Sequence, residues 1–266
     1  MPIPHLLGPE GRTALAALMR RRPLLAFDFD GTLAPIVAQP DAARIPPAVA
    51  ERLRGLAARL PVAIVSGRAL ADLRTRLGFE PAFVVGNHGA EDGADPAAAE
   101  ARTRGLDPLR RQLAAQAAAL AQAGVWIEDK QQSIALHYRL APDADRARAA
   151  IESALSGPDM RAAGLQRFGG KMVENVAACG APDKARALRQ LAARAGVEHA
   201  FFAGDDLNDE PVFASAPPHW LTVRVGCDGR PTQARWRLDS PAEMARALQA
   251  MLDRLDDRDD AAARAR

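Results

Sequence analysis

Two carboxylates and a hydroxyl crowd one turn at Asp28-Phe29-Asp30-Gly31-Thr32-Leu33, directly after the apolar run Leu24-Leu25-Ala26-Phe27. A short apolar run closed by a glycine reads as a buried strand. Residues two apart on an extended chain face the same side, so Asp28 and Asp30 are expected to converge. Two like charges held close do not both ionise freely unless a cation sits between them, an arrangement that suits an acid beside a nucleophile. Such a turn has the groups to handle a phosphate.

Three further segments add to it. Pro61-Val62-Ala63-Ile64-Val65 delivers Ser66-Gly67-Arg68, which puts the Ser66 hydroxyl at the end of a second buried strand, where it can donate to a phosphoryl oxygen. Lys184 opens a helical pattern carrying Leu188 and Leu191, and its point charge could neutralise a transferring group. Ala200-Phe201-Phe202-Ala203 precedes Gly204-Asp205-Asp206-Leu207-Asn208-Asp209-Glu210. An acid cluster at the end of a buried strand repels itself unless a hard cation is bound, and carboxylate ligands suit Mg²⁺. Glu210, ahead of Pro211, also fits a helix start.

Strands near 24–29, 62–66 and 82–86 alternate with helical spacing at Val49, Leu53, Leu56 and Leu60 and again at Leu70, Leu73 and Leu77. After Asp183 the pattern resumes, with a helix through Leu191, strands at 200–203 and 221–225, and a helix carrying Met244, Leu248 and Leu252. These are crossover units of a parallel sheet, and ligands of such sheets bind beyond the carboxyl ends of the strands, where the chemistry-bearing segments fall. The middle differs. A helix to Ala123, strands around Trp126 and over Ile134–Arg139, a helix from Asp145 and two more strands predict a small α/β unit. The expected organisation is a Rossmann-like α/β core in two segments, 1–105 and 181–252, an inserted α/β cap domain over 106–180, and a charged tail over 253–266.

The chain has 266 residues, enough for two parts, and a formal charge of +2 from 35 basic and 33 acidic groups, so no field for nucleic acid or anionic membrane is expected. Cys179 and Cys227 lack metal-ligand spacing, and no run approaches the ~20 apolar residues of a membrane span. A cytoplasmic location with free thiols is expected, with a monomer as the default.

The motif Asp28-Phe29-Asp30-Gly31-Thr32-Leu33, followed in order by Ser66, Lys184 and Gly204-Asp205-Asp206, resembles the haloacid dehalogenase superfamily of phosphotransferases. With Gly86-Asn87-His88-Gly89-Ala90-Glu91 and Gly170-Lys171-Met172-Val173-Glu174, the chain from about residue 24 to 226 resembles the trehalose-6-phosphate phosphatase family. The resemblance implies a haloacid dehalogenase-like core with a cap that closes over a small sugar phosphate. It implies Asp28 as nucleophile and Asp30 as acid and base, with Thr32, Ser66 and Lys184 on the phosphoryl oxygens. Mg²⁺ would be held by Asp28, the Asp30 carbonyl and Asp205, supported by Asp206 and Asp209. Asn87, His88, Glu91, Lys171 and Glu174 are the implied sugar ligands. The family often has glycine after the motif lysine and threonine at the position of Asn208, whereas here Ala185 follows Lys184. The implied reaction is the last step of trehalose biosynthesis. A phosphatase for sucrose phosphate or mannosyl phosphoglycerate, a sugar phosphomutase and a non-catalytic phosphosugar sensor are the alternatives.

Overall fold

The computed structural model describes residues 3–37, 39–92, 96–156, 164–170 and 172–264. The chain divides into two compact units, Met1–Gly89 with Asp183–Arg266, and Ala90–Pro182.

The first unit is built on six parallel strands in the order β10-β9-β8-β1-β2-β3. These are β1 (Leu24–Phe27), β2 (Val62–Val65), β3 (Phe83–Val85), β8 (Ala200–Gly204), β9 (Leu221–Val225) and β10 (Trp236–Leu238). Alternation along β1 feeds two cores. Leu25 and Phe27 join the helices Pro9–Met19, Pro47–Ala57 and Met244–Arg264, while Leu24 and Ala26 join Lys184–Arg194 and Glu210–Ser215. Strands buried on both faces read as continuous apolar runs, which is why β1, β2 and β8 were visible in the sequence. The chain steps outward from β1 to β2 and β3, then returns on the far side of β1 with β8, so the strand order reverses at β1. A crevice beyond the carboxyl end of β1 is the outcome of that reversal.

The second unit carries an antiparallel sheet, β4-β5-β7-β6, made of Trp126–Asp129, Ser133–His137, Val173–Ala178 and Leu165–Gly170. Ile134, Leu136 and Val176 pack one face against Leu109, Leu113 and Leu120 and against Ile151 of the helix Ala144–Leu155.

Two boundaries differ from expectation. The second unit starts at Ala90 rather than Leu106, because the helix Pro96–Gly105 belongs to it and Arg102 ties that helix to the Ala90 carbonyl at 2.9 Å and to Gln132 Oε1 at 3.0 Å. The stretch expected as a charged tail continues the helix Met244–Arg264, with Met251 and Leu255 buried against the core. Not expected from the sequence were the helix Pro9–Met19, although Leu15, Leu18 and Met19 line one buried face, and β10, which is only three residues long. Among the described residues no helix is long and apolar enough to cross a membrane.

Candidate active site

β1 ends at Phe27, and Asp28 extends its ladder by one bond, its N–H donating to the Ala203 carbonyl at 2.9 Å. The chain then turns tightly, with Leu33 and Ala34 N–H both donating to the Phe29 carbonyl at 3.0 and 2.9 Å. Asp30 therefore sits in a turn, not on a strand, and the alternation that predicted its convergence with Asp28 does not apply. Asp28 meets Lys184, whereas Asp30 meets Arg68.

Gly31 is required twice over. Its φ is 77°, and a Cβ there would lie 2.2 Å from a carboxylate oxygen of Asp205. Gly31→Ala is expected to displace Asp205 and to weaken, by about 10-fold or more, binding of the Mg²⁺ expected there, measured by calorimetric titration. Unchanged affinity would detach Asp205 from the cation site.

Asp28 is 5 % exposed, and its Oδ1 lies 2.9 Å from Lys184 Nζ. The same amine donates to Asp209 Oδ1 at 2.7 Å. Carboxylate oxygens of Asp28, Asp205 and Asp209, all buried, lie within 4.8 Å of one another. Burial pushes the Asp28 carboxyl well above the ordinary range; Lys184 pulls it down, and Asp209 and Asp205 push it further up. Burial also works against the charge of Lys184, but Asp209 and Asp28 outweigh it and keep the amine protonated beyond its usual range. Three buried carboxylates against one ammonium leave an excess of negative charge, and hard oxygen donors at this spacing fit a hard divalent cation.

The loop after β8 supplies two of those acids. At Gly204 a Cβ would lie 2.3 Å from the Asp209 carboxyl carbon, so the strand must end in glycine for Asp209 to fold back. Asp209 Oδ2 accepts the Asp206 N–H at 2.9 Å. Asp206 itself turns to Arg230, 3.6 Å from Nη1, and Arg230 Nη2 donates to the Asp205 carbonyl at 3.2 Å. Of the two acids expected in support, Asp209 thus joins the buried cluster and Asp206 shapes the loop. Arg230 carried no signal in the sequence, because it lies far along the chain on the segment after β9.

On the phosphate side, Thr32 is fully buried and its Oγ1 meets no hydrogen-bond partner. An unpaired buried hydroxyl is costly, which leaves this donor available to a ligand. Ser66 is 1 % exposed, follows β2 directly, and its Oγ accepts the Arg68 N–H at 3.2 Å. The Asn87 and His88 N–H groups donate to the Arg68 and Ser66 carbonyls at 2.8 and 2.9 Å, stacking the loop after β3 on the loop after β2. Both residues are left-handed, with φ of 49° and 56°. A Cβ at Gly67 would lie 2.3 Å from the His88 ring, which explains the glycine between Ser66 and Arg68.

Asp28, Asp30, Thr32, Ser66, Asn87, His88, Lys184, Asp205, Asp206 and Asp209 all belong to the first unit. Glu91 and Glu174 belong to the second, and Lys171 lies outside the described residues. Glu174 is half-buried on β7, opposite Leu136 and Gly169, with Arg167 Nη2 3.6 Å away. On the other face of that sheet the exposed Trp126 stacks on His137, whose Nε2 lies 2.8 Å from Glu128 Oε2, and Lys130 Nζ is 3.6 Å from the same oxygen. Glu128 and Lys130 were not among the candidate residues of the sequence. The alternation Trp126-Ile127-Glu128 was the available signal.

A parallel sheet bearing an aspartate at its switch point, interrupted in sequence by an antiparallel α/β unit, is the haloacid dehalogenase-like architecture. The chain belongs to the trehalose-phosphatase family, whose model matches residues 26–242. It is 36% identical over 248 residues to an uncharacterized glycosyl hydrolase of Mycobacterium tuberculosis, covering 87% of this chain and 18% of that one. It is 36% identical over 264 residues to a trehalose-phosphate phosphatase of M. tuberculosis, covering 89% of this chain and 64% of the relative. The chain thus spans less than two thirds of these relatives' lengths. Among solved structures it resembles the C-terminal domain of C. albicans trehalose-6-phosphate phosphatase, with a TM-score of 0.77 at 22% identity, covering 94% of this chain and 98% of that domain.

Proposed function

We propose that this protein is a Mg²⁺-dependent phosphatase that hydrolyses trehalose 6-phosphate to trehalose and phosphate through an aspartyl-phosphate. The observation that carries the chemistry is the buried Asp28 carboxylate at the reversal of strand order, paired to Lys184 and clustered with Asp205 and Asp209. Family membership carries the substrate.

In the first step an Asp28 oxygen attacks phosphorus, the bond from phosphorus to the sugar oxygen breaks, and Asp30 delivers its proton to the departing oxygen. In the second, Asp30 takes a proton from water as the water oxygen attacks phosphorus and the aspartyl bond breaks. One ester and one water become one alcohol and one phosphate, with Asp30 restored. Lys184, Thr32 and Ser66 hold the phosphoryl oxygens, and the ammonium offsets charge gathering there. Asp28, Asp205, Asp209 and the Asp30 carbonyl are the proposed cation ligands. Bound Mg²⁺ supplies charge neutralisation at the phosphoryl oxygens. Asn87, His88, Glu91, Lys171 and Glu174 are proposed to bind sugar hydroxyls. The proposed compartment is the cytoplasm, in keeping with two exposed, unbridged cysteines.

The test is phosphate release from trehalose 6-phosphate beside sucrose phosphate, mannosyl phosphoglycerate and glucose 6-phosphate, in Mg²⁺ and in excess chelator. Metal-dependent turnover favouring trehalose 6-phosphate is expected. Preference for another ester keeps the Asp28 chemistry and removes the substrate assignment. Binding without turnover makes the protein a sensor.

A further inference from the structure

The side chain of Arg68 is claimed neither by the phosphate-binding groups nor by the cation cluster, yet it reaches the acid/base residue directly. Its Nε donates to Asp30 Oδ2 at 2.7 Å and its Nη2 to Asp30 Oδ1 at 2.8 Å, a bidentate fork on the carboxylate. The fork is held from behind. Nη1 donates to Asp72 Oδ2 at 3.0 Å, and the guanidinium lies 5.3 Å from the centroid of the Phe29 ring. Asp72 is fixed in turn by Arg76, which donates Nε to both its oxygens at 2.9 and 2.8 Å and Nη1 to the Asp41 carbonyl at 2.8 Å. Arg68 is 11 % exposed at its side chain, against 37 % for Asp30. The rigid partner is the arginine, and Asp30, on an open turn, takes its orientation from it.

We propose that Arg68 is a positioning residue that sets the plane of the Asp30 carboxyl for proton transfer to the leaving oxygen. The proposal rests on the phosphatase reading above. A carboxylate offers about four lone-pair sites, and a fork occupies one on each oxygen, so the outward sites stay open to the leaving group and to water. Fixing that plane matters because misplacing a catalytic group by about 1 Å costs roughly 100-fold in rate. The backbone serves the same end, since the Arg68 N–H donates to Ser66 Oγ and joins the phosphate-binding turn to the acid/base residue.

The test compares first-turnover rates by quenched flow for the wild type, Arg68→Ala, Arg68→Lys and Asp72→Asn. The substrates are trehalose 6-phosphate and p-nitrophenyl phosphate, whose leaving group departs without a proton. In Arg68→Ala the sugar ester is expected to lose about 100-fold, with KM changed by less than about threefold and the nitrophenol burst rate nearly kept, because only the sugar needs the acid. Arg68→Lys keeps the charge without the fork and is expected to stay impaired, while added guanidinium partly restores Arg68→Ala. Asp72→Asn, which leaves the fork in place but loosens it, is expected to show a milder loss in the same sugar-only pattern, and it carries the test if Arg68→Ala does not fold. Equal losses on both esters, full activity in Arg68→Lys, or a faster Arg68→Ala overturns the proposal. Wild-type enzyme that turns over neither ester removes the phosphatase reading and this one with it.

Discussion

Asp28→Asn is expected to lower phosphate release by about 10⁴-fold or more while making the metal-free protein more stable at pH 8. The two effects have one origin. Burial raises the Asp28 carboxyl well above its ordinary range, Lys184 opposing and Asp209 and Asp205 reinforcing the rise. A carboxyl whose folded pKa exceeds its unfolded value contributes stability that is fully present below the unfolded value, about 4, and is lost as pH rises through the folded one. At pH 8 without metal, keeping Asp28 buried therefore costs stability. Asparagine removes that cost and leaves Lys184 paired with Asp209 at 2.7 Å. Thermal melts in chelator should show the variant above the wild type at pH 8, with the gap closing toward pH 4. Adding Mg²⁺ should raise the wild type more than the variant, because a ligand stabilises in proportion to how much more tightly it binds the folded state. Turnover near the wild-type level, with the asparagine verified intact by mass, would remove Asp28 as nucleophile. A lower melting temperature in chelator at pH 8 would remove the electrostatic account.

The parts of the site that the sequence revealed are those where one strand delivers one residue. Asp28, Ser66 and Asp205 each follow a doubly buried strand, and such strands announce themselves as apolar runs. What stayed hidden depends on contacts between distant segments. Asp209 looked like a supporting acid because its approach to Asp28 requires the loop after β8 to fold back on Gly204, which spacing does not encode. Arg68 was visible as the third residue of a Ser-Gly-Arg turn, but its fork on Asp30 joins residues 38 apart in sequence. Strand periodicity could not place Asp30, because the strand ends at Phe27 and Asp30 lies in the turn beyond it, paired with Arg68. The last turns of the final helix, beyond Leu252, were lost to composition. Their Asp- and Arg-rich run masked Leu255, which keeps helical spacing from Met251 and stays buried. In the second unit, Glu174 was read next to Lys171 along the chain, while the sheet sets it near Arg167 across the ladder.

Lys184→Met is expected to destabilise the first unit strongly, and Mg²⁺ is expected to offset much of the loss. Lys184 is 2 % exposed and opens the helix Lys184–Arg194, whose first turn is capped by Asp183 accepting the Arg186 N–H at 2.7 Å. That cap fixes where the helix starts and so where the amine points. Methionine keeps the length and the apolar stem, so packing is largely preserved. What disappears is the cation among Asp28, Asp205 and Asp209. Removing one partner of a buried ion pair costs about 3–5 kcal/mol, because the remaining charges are left buried and uncompensated. For a chain of this size that is a fall in melting temperature of roughly 10 °C in chelator. Phosphate release should drop by about 10³-fold, since the ammonium is proposed to face the charge that develops on the transferring group. The metal response separates electrostatics from packing. Mg²⁺ is proposed to draw on the same three carboxylates, so its stabilising shift should be larger in Lys184→Met than in the wild type. Leu188→Ala, on the same helix and fully buried, should cost a comparable 2–5 kcal/mol with a Mg²⁺ shift no different from the wild type. If the two variants respond to Mg²⁺ alike, the lysine is a packing element and the counter-charge of the carboxylate cluster must be sought elsewhere.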